Sequence, residues 1–144
     1  MRFMLLVIPR GYEQAKPGTM PDARAVERMM QYNEELQNAG VLLALDGLHP
    51  PSAGARVSFS GGQPTVTAGP LPEGTEAVGG YWMIQVRSKD EAIEWACRAP
   101  MGDNEIIEVR QIQEMEDFPP DVQEAAAGFD EKLKAERTGK RDER

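Results

Sequence analysis

The spacing of apolar residues along the first third of the chain predicts two strands joined by a helix. Residues 3–8 are continuously apolar, which is typical of a strand covered on both faces. Residues 22–38 place apolar side chains at three- and four-residue spacing, so they predict an amphipathic helix. Gly40 is suited to the left-handed cap that ends such a helix, and residues 41–48 predict the second strand.

The next segment predicts a β-hairpin centred on Gly61-Gly62. Two consecutive glycines readily adopt the positive φ angles of a two-residue turn, and that turn places Val57 opposite Val66. Phe59 then faces Pro64 on the neighbouring strand. Because proline cannot donate a ladder hydrogen bond, we expect this hairpin at the edge of a sheet.

The second half of the pattern adds a strand, a helix and a last strand. Residues 81–86 predict the strand, and a Ser-Lys-Asp-Glu capping box at residues 88–91 opens a helix that ends before Pro100. Residues 105–113 supply the last strand. The resulting order is the split β-α-β arrangement of a ferredoxin-like sandwich with an inserted β-hairpin. We therefore predict one α+β domain over residues 1–117.

A sandwich of this kind leaves one face of its sheet without helices. The continuously apolar strand at residues 3–8 nevertheless needs cover on that face. A second copy of the sheet is the simplest supply. We therefore expect a homodimer in which the two sheets lie face to face.

Two segments leave alternatives open. The inner face of the first helix is rich in methionine, which fits either a core packed on the sheet or an adaptable binding surface. The residues predicted on that face are Val26, Met29, Met30, Asn33, Leu36 and Gln37. Residues 68–80 are dense in glycine and proline and predict a long loop, which is either functional or a plain surface loop.

The negative net charge of this chain argues against nucleic-acid binding. Its 144 residues suit one ordinary domain, and its formal net charge is -8. Phosphate binding needs a clustered basic surface, which this composition does not supply. For residues 118–144 we predict a terminal helix, over 121–136, and a charged, frayed tail, because few apolar residues are available there for burial.

Cysteine usage and the N-terminal run bear on compartment and cofactors. The single cysteine, Cys97, excludes an internal disulfide and fits a reducing cytoplasm, and we expect it as a small apolar residue inside the second helix. The apolar run at residues 3–8 is far shorter than the roughly 20 residues of a membrane span. We predict a cytoplasmic protein that does not enter membranes. One histidine and one cysteine cannot form a transition-metal site without carboxylates or a second subunit, and we predict no cofactor.

His49 is the only imidazole in the protein and stands where the second strand enters a Pro-Pro loop. An imidazole titrates near neutral pH, so His49 is a candidate acid/base or ligand residue; a side chain that anchors the loop is the alternative. Asp46, three residues earlier, is the candidate catalytic carboxylate. In a regular strand the two side chains point to opposite faces, so a direct pair needs a bulge or a bend at Gly47.

Polar side chains on two later strands are candidates for ligand binding. Tyr81, Met83 and Gln85 share one face of a strand, and Glu108 and Arg110 share one face of the last strand. If both faces look into a barrel, they line a mostly apolar pocket that holds a charged pair, a phenol and an amide. The alternative is an ion pair between Glu108 and Arg110 that fixes the register of a dimer.

Several short segments in a fixed order form a pattern over residues 1–113. The segments are Met4-Leu5-Leu6, Glu34-Glu35-Leu36, Ala39-Gly40-Val41-Leu42, Gly47-Leu48-His49-Pro50-Pro51, Val66-Thr67-Ala68-Gly69-Pro70-Leu71, Gly79-Gly80-Tyr81-Trp82-Met83-Ile84, Asp90-Glu91-Ala92-Ile93-Glu94-Trp95-Ala96 and Ile107-Glu108-Val109-Arg110. This pattern resembles the YCII-related family, specifically its DGPF branch. The resemblance implies a dimeric α-β barrel built from ferredoxin-like halves.

The chain departs from that branch at its defining tetrapeptide. Asp-Gly-Pro-Phe stands here as Ala68-Gly69-Pro70-Leu71, so a carboxylate and an aromatic ring are missing. Relatives in the wider YCII group look like small-molecule lyases or isomerases that use a His/Asp pair, which implies a small organic ligand and acid/base chemistry through His49. The missing carboxylate favours the alternative, a non-catalytic ligand-sensing or accessory module in a regulatory complex.

Overall fold

The chain divides into two compact units, residues 1–112 and residues 113–144. The computed structural model describes residues 1–129, 132–133, 135–136 and 139. Within those residues, no helix has the length and apolar character that crossing a membrane requires. The elements are β1 (Arg2–Ile8), α1 (Ala23–Asn38), β2 (Leu42–Gly47), β3 (Ala55–Ser60), β4 (Gln63–Ala68), β5 (Gly80–Gln85), α2 (Lys89–Cys97), β6 (Ile106–Gln111) and α3 (Pro120–Ala125).

Four strands of the first unit form one antiparallel sheet in the order β2-β5-β1-β6. Strands β1 and β2 run in the same direction, and β5 lies between them, as a split β-α-β unit requires. The predicted α+β, ferredoxin-like architecture is therefore confirmed.

The two faces of this sheet differ in cover. Both helices pack on one face, where Phe3, Leu5 and Val7 of β1 are buried. The alternating residues Met4 and Leu6 point to the opposite face and are only half-buried. Residues 1–112 thus cover one face of β1 and leave the other, here called the open face, accessible. A second copy as the cover of the open face stays a prediction.

Helix α1 begins after Asp22, whose carboxylate accepts a hydrogen bond from the Ala25 amide at 2.8 Å. The predicted inner face is partly wrong. Met29, Asn33 and Leu36 lie inward, but three residues predicted there are exposed: Val26, Met30 and Gln37.

Tyr32 takes the central inward position of α1 instead. Its ring lies edge-on to Trp82 with the ring centres 4.9 Å apart, and its hydroxyl donates to the Trp95 carbonyl at 2.6 Å. These contacts join α1, the sheet and α2 in one core. They also turn α1 about its axis so that Tyr32 faces the sheet.

Helix α2 begins at the predicted cap. Ser88 accepts a hydrogen bond from the Glu91 amide at 3.1 Å, and the Glu91 carboxylate accepts one from the Arg87 amide at 2.9 Å. The expectation that Cys97 is a buried residue is wrong. It is the last residue of α2 and is exposed, because the helix buries Ala92 and Trp95 on a different side.

The hairpin of β3 and β4 has the predicted register, with Val57 opposite Val66 and Phe59 opposite Pro64. Both turn glycines have positive φ angles, 57° at Gly61 and 78° at Gly62. β3 and β4 form a two-stranded sheet of their own, so both are edge strands, as the proline in β4 requires. Two consecutive prolines, Pro50 and Pro51, interrupt the chain before β3, so β3 does not extend the ladder of β2.

The terminal helix predicted for the second unit is interrupted, since the described residues 129, 132–133 and 135–136 are helical again after α3. Helix α3 ends at Ala125, and Gly128 has a φ of 87°. A left-handed residue there interrupts the helix predicted over 121–136. The predicted frayed tail falls mostly outside the described residues.

Candidate ligand-binding site

A cavity of about 330 Å³ opens in the first unit between α1 and the end of β2. The sheet contributes Val7 and residues 79–82, and α1 contributes Met29 and Asn33. The remaining lining comes from Tyr12, residues 19–21 and residues 45–49. The cavity therefore lies at the rim of the helix-covered face, where β2 is the outermost strand.

The cavity is mainly apolar and has a fixed polar group in its wall. The Trp82 indole donates a hydrogen bond to the Asn33 amide oxygen at 2.6 Å. Asp46 and His49 are the ionisable lining residues apart from the two tyrosines, and the described lining contains no lysine or arginine. Such a lining suits an uncharged organic molecule, since a buried anion needs a positive partner.

His49 is held at the mouth of this cavity by its neighbours in sequence. The Leu48 amide donates to the Gly79 carbonyl at 2.9 Å, and the Leu48 carbonyl accepts from the Tyr12 hydroxyl at 2.5 Å. On the other side, the Pro50 side chain is fully buried. The His49 side chain itself is exposed, and among the described residues no hydrogen bond ties it down. The imidazole is positioned but free to meet a ligand.

The Pro-Pro loop is anchored without help from His49. Ser52 donates its hydroxyl proton to the Ala15 carbonyl at 2.6 Å, which binds the loop to the segment before α1. Burial raises the pKa of the Tyr12 phenol, so the bond from Tyr12 to Leu48 persists across the neutral range. The alternative role of His49 as the loop anchor therefore receives no support from the bonds of the described residues.

Gly79 and Gly80 line the cavity at positions where the neighbouring segments leave no room for a side chain. A β-carbon at Gly79 would lie 2.7 Å from the Pro9 ring, and one at Gly80 would lie 2.9 Å from the Asp46 carbonyl oxygen. Glycine is thus required for the close approach of β5 to β1 and β2 at this end of the sheet.

Glu13 does not line the cavity, but it holds a neighbouring loop, and the sequence analysis does not predict this role. It is buried; its backbone carbonyl accepts from the Leu71 amide at 2.9 Å, and its carboxylate accepts from the Gly74 amide at 3.1 Å. Glu13 thereby fixes the long loop of residues 69–79 beside the cavity. A single acid in a short turn carries no sequence signal of this role.

Asp46 pairs with Tyr81 and not with His49. The two residues lie opposite each other in the pairing of β2 with β5, and the Tyr81 hydroxyl donates to the Asp46 carboxylate at 2.7 Å. This hydrogen bond raises the pKa of the Tyr81 phenol. A β-bulge between Leu42 and Ala44 sets the register that brings the pair together. Among the described residues no hydrogen bond joins Asp46 to His49.

The other candidate ligand residues lie on the open face. Across the sheet, Met83 stands opposite Met4, which stands opposite Arg110. In the next row, Tyr81 and Glu108 flank Leu6. The residues Met83, Gln85, Glu108 and Arg110 do not line the cavity beside α1; Tyr81 does.

Glu108 and Arg110 form the predicted pair, with 3.5 Å between the guanidinium and carboxylate atoms. Both side chains are well exposed, so the pair contributes little to stability by itself. Its place on the open face leaves both alternatives, ligand contact and dimer register, as predictions.

Comparison with models of known protein families gives a match for most of this chain. A family model of the YCII-related domain matches residues 1–116. The chain belongs to the YCII-related family. A search among curated proteins gives no match.

The YCII-related span covers every strand of the sheet and every residue that lines the cavity. It also contains the segment Ala68-Gly69-Pro70-Leu71, in which Gly69 has a φ of 96° and Leu71 is buried. The glycine is needed for the backbone turn, and the leucine occupies an apolar position. The segment therefore has a structural role in this YCII-related protein.

Proposed function

We propose that this YCII-related chain, as a cytoplasmic homodimer of the DGPF branch, binds a small, largely apolar organic molecule in the cavity between α1 and β2. The observation that carries the proposal is the cavity of about 330 Å³ with an apolar lining and a few fixed polar groups. Ligand sites of proteins commonly combine these two properties.

In this proposal His49 is the acid/base residue of a cofactor-independent lyase or isomerase reaction. Its side chain is exposed at the cavity mouth, and its backbone is held from both sides. An imidazole in that position takes a proton from a bound ligand or returns one. Asp46 acts through Tyr81, whose phenol it holds at 2.7 Å.

The proposed homodimer uses the open face of the sheet. Half-buried methionines and leucine alternate there with the Glu108–Arg110 pair. In a dimer, the candidates Met83, Gln85, Glu108 and Arg110 would line the space between the two sheets. We propose this space as the second place where a ligand makes contact.

One observation favours the alternative of a non-catalytic ligand-sensing or accessory module. Asp46 accepts its hydrogen bond from Tyr81 and makes none with His49 among the described residues. A His/Asp pair needs a direct hydrogen bond to orient the imidazole. Together with Ala68 at the branch's acidic position, this arrangement supports binding without turnover.

Binding can be tested with neutral probes and a pair of adjacent methionines. Phenol and indole are the neutral probes, benzoate is the anionic comparison, and each is titrated by calorimetry against the wild type, Met29→Trp and Met30→Trp. Met29 lines the cavity, whereas Met30 is its exposed neighbour on the same helix. We expect phenol or indole to bind the wild type and Met30→Trp, and to bind Met29→Trp at least about 10-fold more weakly, because the larger side chain fills the cavity. Equal binding to Met29→Trp would rule out this cavity as the site.

The role of His49 can be followed separately, since a single histidine gives a single set of imidazole NMR signals. We expect the bound probe to change the chemical shifts of these signals. Turnover of phenols or lactones by the wild type, lost in His49→Ala, would support an enzyme. Retained binding without turnover in either protein would support the sensing module.

A further inference from the structure

The hairpin of β3 and β4 presents an uncovered apolar surface. On one face the paired residues are Ala55 with Ala68, Val57 with Val66 and Phe59 with Pro64. Val57, Val66 and Phe59 retain 51%, 68% and 77% of their exposure. The opposite face carries only polar side chains, from Arg56, Ser58, Ser60, Gln63, Thr65 and Thr67. The hairpin is therefore amphipathic, with its apolar face in solvent.

A hairpin of this kind is not stabilised by its own contacts. All twelve positions of β3 and β4 are exposed, so neither strand buries a side chain on the rest of the unit. An isolated two-stranded hairpin is at best marginally stable in water. Its apolar face needs a surface to cover it.

We propose that, in the homodimer of the proposed function on which this inference rests, the hairpin of each copy packs its apolar face on the other copy. The hairpin is then an arm that the two copies of this chain exchange. The charge distribution favours such an occupant. Residues 47–72 contain no Asp or Glu and one Arg, Arg56, whereas the whole chain has a formal charge of -8. The rest of the chain therefore carries -9, so a contact through this acid-free segment brings fewer like charges together than a contact through most other parts of the surface.

The area needed by a stable dimer points to the same occupant. From strand spacing and rise, the open face of the four-stranded sheet covers about 400 Å², and the apolar face of the hairpin covers about 200 Å². A stable interface buries about 800 Å² on each partner. Sheet pairing alone supplies about half of that. In a two-fold dimer each copy gives one hairpin face and receives another, which raises the buried area to about the required value.

The test measures the dimer dissociation constant by sedimentation equilibrium. Phe59→Asp and Val66→Asp place a charge on the apolar face, and we expect each to raise the dissociation constant at least about 10-fold. The matched controls Ser58→Asp and Thr65→Asp add the same charge to the polar face of the same strands. We expect the controls to stay within about 2-fold of the wild type. Unchanged dimerisation of Phe59→Asp and Val66→Asp, or a wild type that is monomeric at millimolar concentration, overturns the proposal.

A separate variant distinguishes the arm from the proposed pairing of the sheets. Met4→Glu places a charge on the open face and leaves the hairpin intact. If Met4→Glu dissociates the dimer and the hairpin variants do not, the sheet pairing stands and the arm is wrong. If Met4→Glu and the hairpin variants all dissociate the dimer, both interfaces are needed to bury the area of a stable dimer.

Direct contact and the rival occupant can be checked on the wild type. In a mixture of isotope-labelled and unlabelled copies, we expect filtered NOEs from the Phe59 ring to the unlabelled chain. Their absence in a dimer overturns the arm. Binding to phosphatidylcholine vesicles that Phe59→Asp abolishes, in a protein that sediments as a monomer, would replace the second copy with a membrane surface.

Discussion

The helix-covered face and the open face of the same sheet use neighbouring residues of one strand in different ways. Leu5 is fully buried among aromatic and aliphatic side chains, whereas Leu6 is half-buried beside Tyr81 and Glu108. On the first face, the fold is complete within one chain. On the second face, apolar and charged groups alternate, and residues 1–112 leave them partly exposed.

The phenols of the two faces show the same contrast. Tyr32 is buried on the helix side, and burial raises its pKa to about 12. Tyr81 belongs to the open face, and its pKa rises because it donates a hydrogen bond to Asp46. On the helix-covered face burial raises the pKa of a phenol, whereas on the open face a hydrogen bond to a carboxylate raises it.

The largest expected effect compares Leu5→Ala with Leu6→Ala. Leu5→Ala leaves a cavity in a core with no exposed side, so we expect a loss of about 3 kcal/mol in the free energy of unfolding. Leu6→Ala should cost about 1 kcal/mol or less in the monomer, because its side chain is already half in water. Urea denaturation at several protein concentrations measures both.

Concentration dependence sharpens that comparison. A homodimer through the open face predicts that Leu6→Ala loses more stability at high protein concentration than at low concentration, whereas Leu5→Ala does not. Equal losses for the two variants at every concentration would contradict the difference between the faces.

The second prediction concerns Tyr32→Phe and its dependence on pH. The substitution removes the bond to the Trp95 carbonyl, and we expect it to cost about 1–2 kcal/mol at pH 7. In the wild type, the folded state holds the phenol proton up to a pKa of about 12, and the unfolded state releases it near 10. This stabilisation is present below pH 10 and is lost as the pH rises through 12.

The difference in unfolding free energy between wild type and Tyr32→Phe should therefore shrink between pH 10 and pH 12. Taking the difference removes the contributions of Tyr12 and Tyr81, which both variants share. Denaturant curves at several alkaline pH values measure it. A constant difference over that range would show that Tyr32 ionises normally.

The order and register of the elements could be predicted from the sequence because they depend on local signals. Gly61-Gly62 determines the pairing of Val57 with Val66, and Ser88 begins α2 as its side chain requires. Each of these depends on residues a few positions apart.

The position of the cavity could not be predicted in this way. Alternation along β5 correctly places Tyr81, Met83 and Gln85 on one face, but the cavity lies at the rim of the other face. It is formed by contacts between distant segments, such as the hydrogen bonds from Tyr12 to Leu48 and from Leu48 to Gly79. Composition and periodicity carry no information about these contacts.

The hydrogen-bond partner of Asp46 could not be predicted either, because it depends on a β-bulge. A regular strand separates Asp46 from His49, and the sequence analysis required a bulge or bend at Gly47 to join them. The bulge lies earlier, between Leu42 and Ala44, and it sets Asp46 opposite Tyr81. A bulge inserts one residue without a distinct sequence signal, so the pairing could only be read from the structure.

The smallest expected effect is spectroscopic and tests that pairing. Asp46→Asn replaces a charged acceptor of the Tyr81 hydrogen bond with a neutral one, so we expect the pKa of Tyr81 to fall toward its usual value of about 10. Phenolate absorbance during an alkaline titration, with Tyr81→Phe to identify the transition, measures the shift. His49→Gln is the control and should leave the Tyr81 transition in place, because among the described residues no bond links the two. If His49→Gln moves the Tyr81 transition as far as Asp46→Asn does, the imidazole is coupled to the Asp46–Tyr81 pair. That result would favour an acid/base role of His49 over a ligand-sensing module.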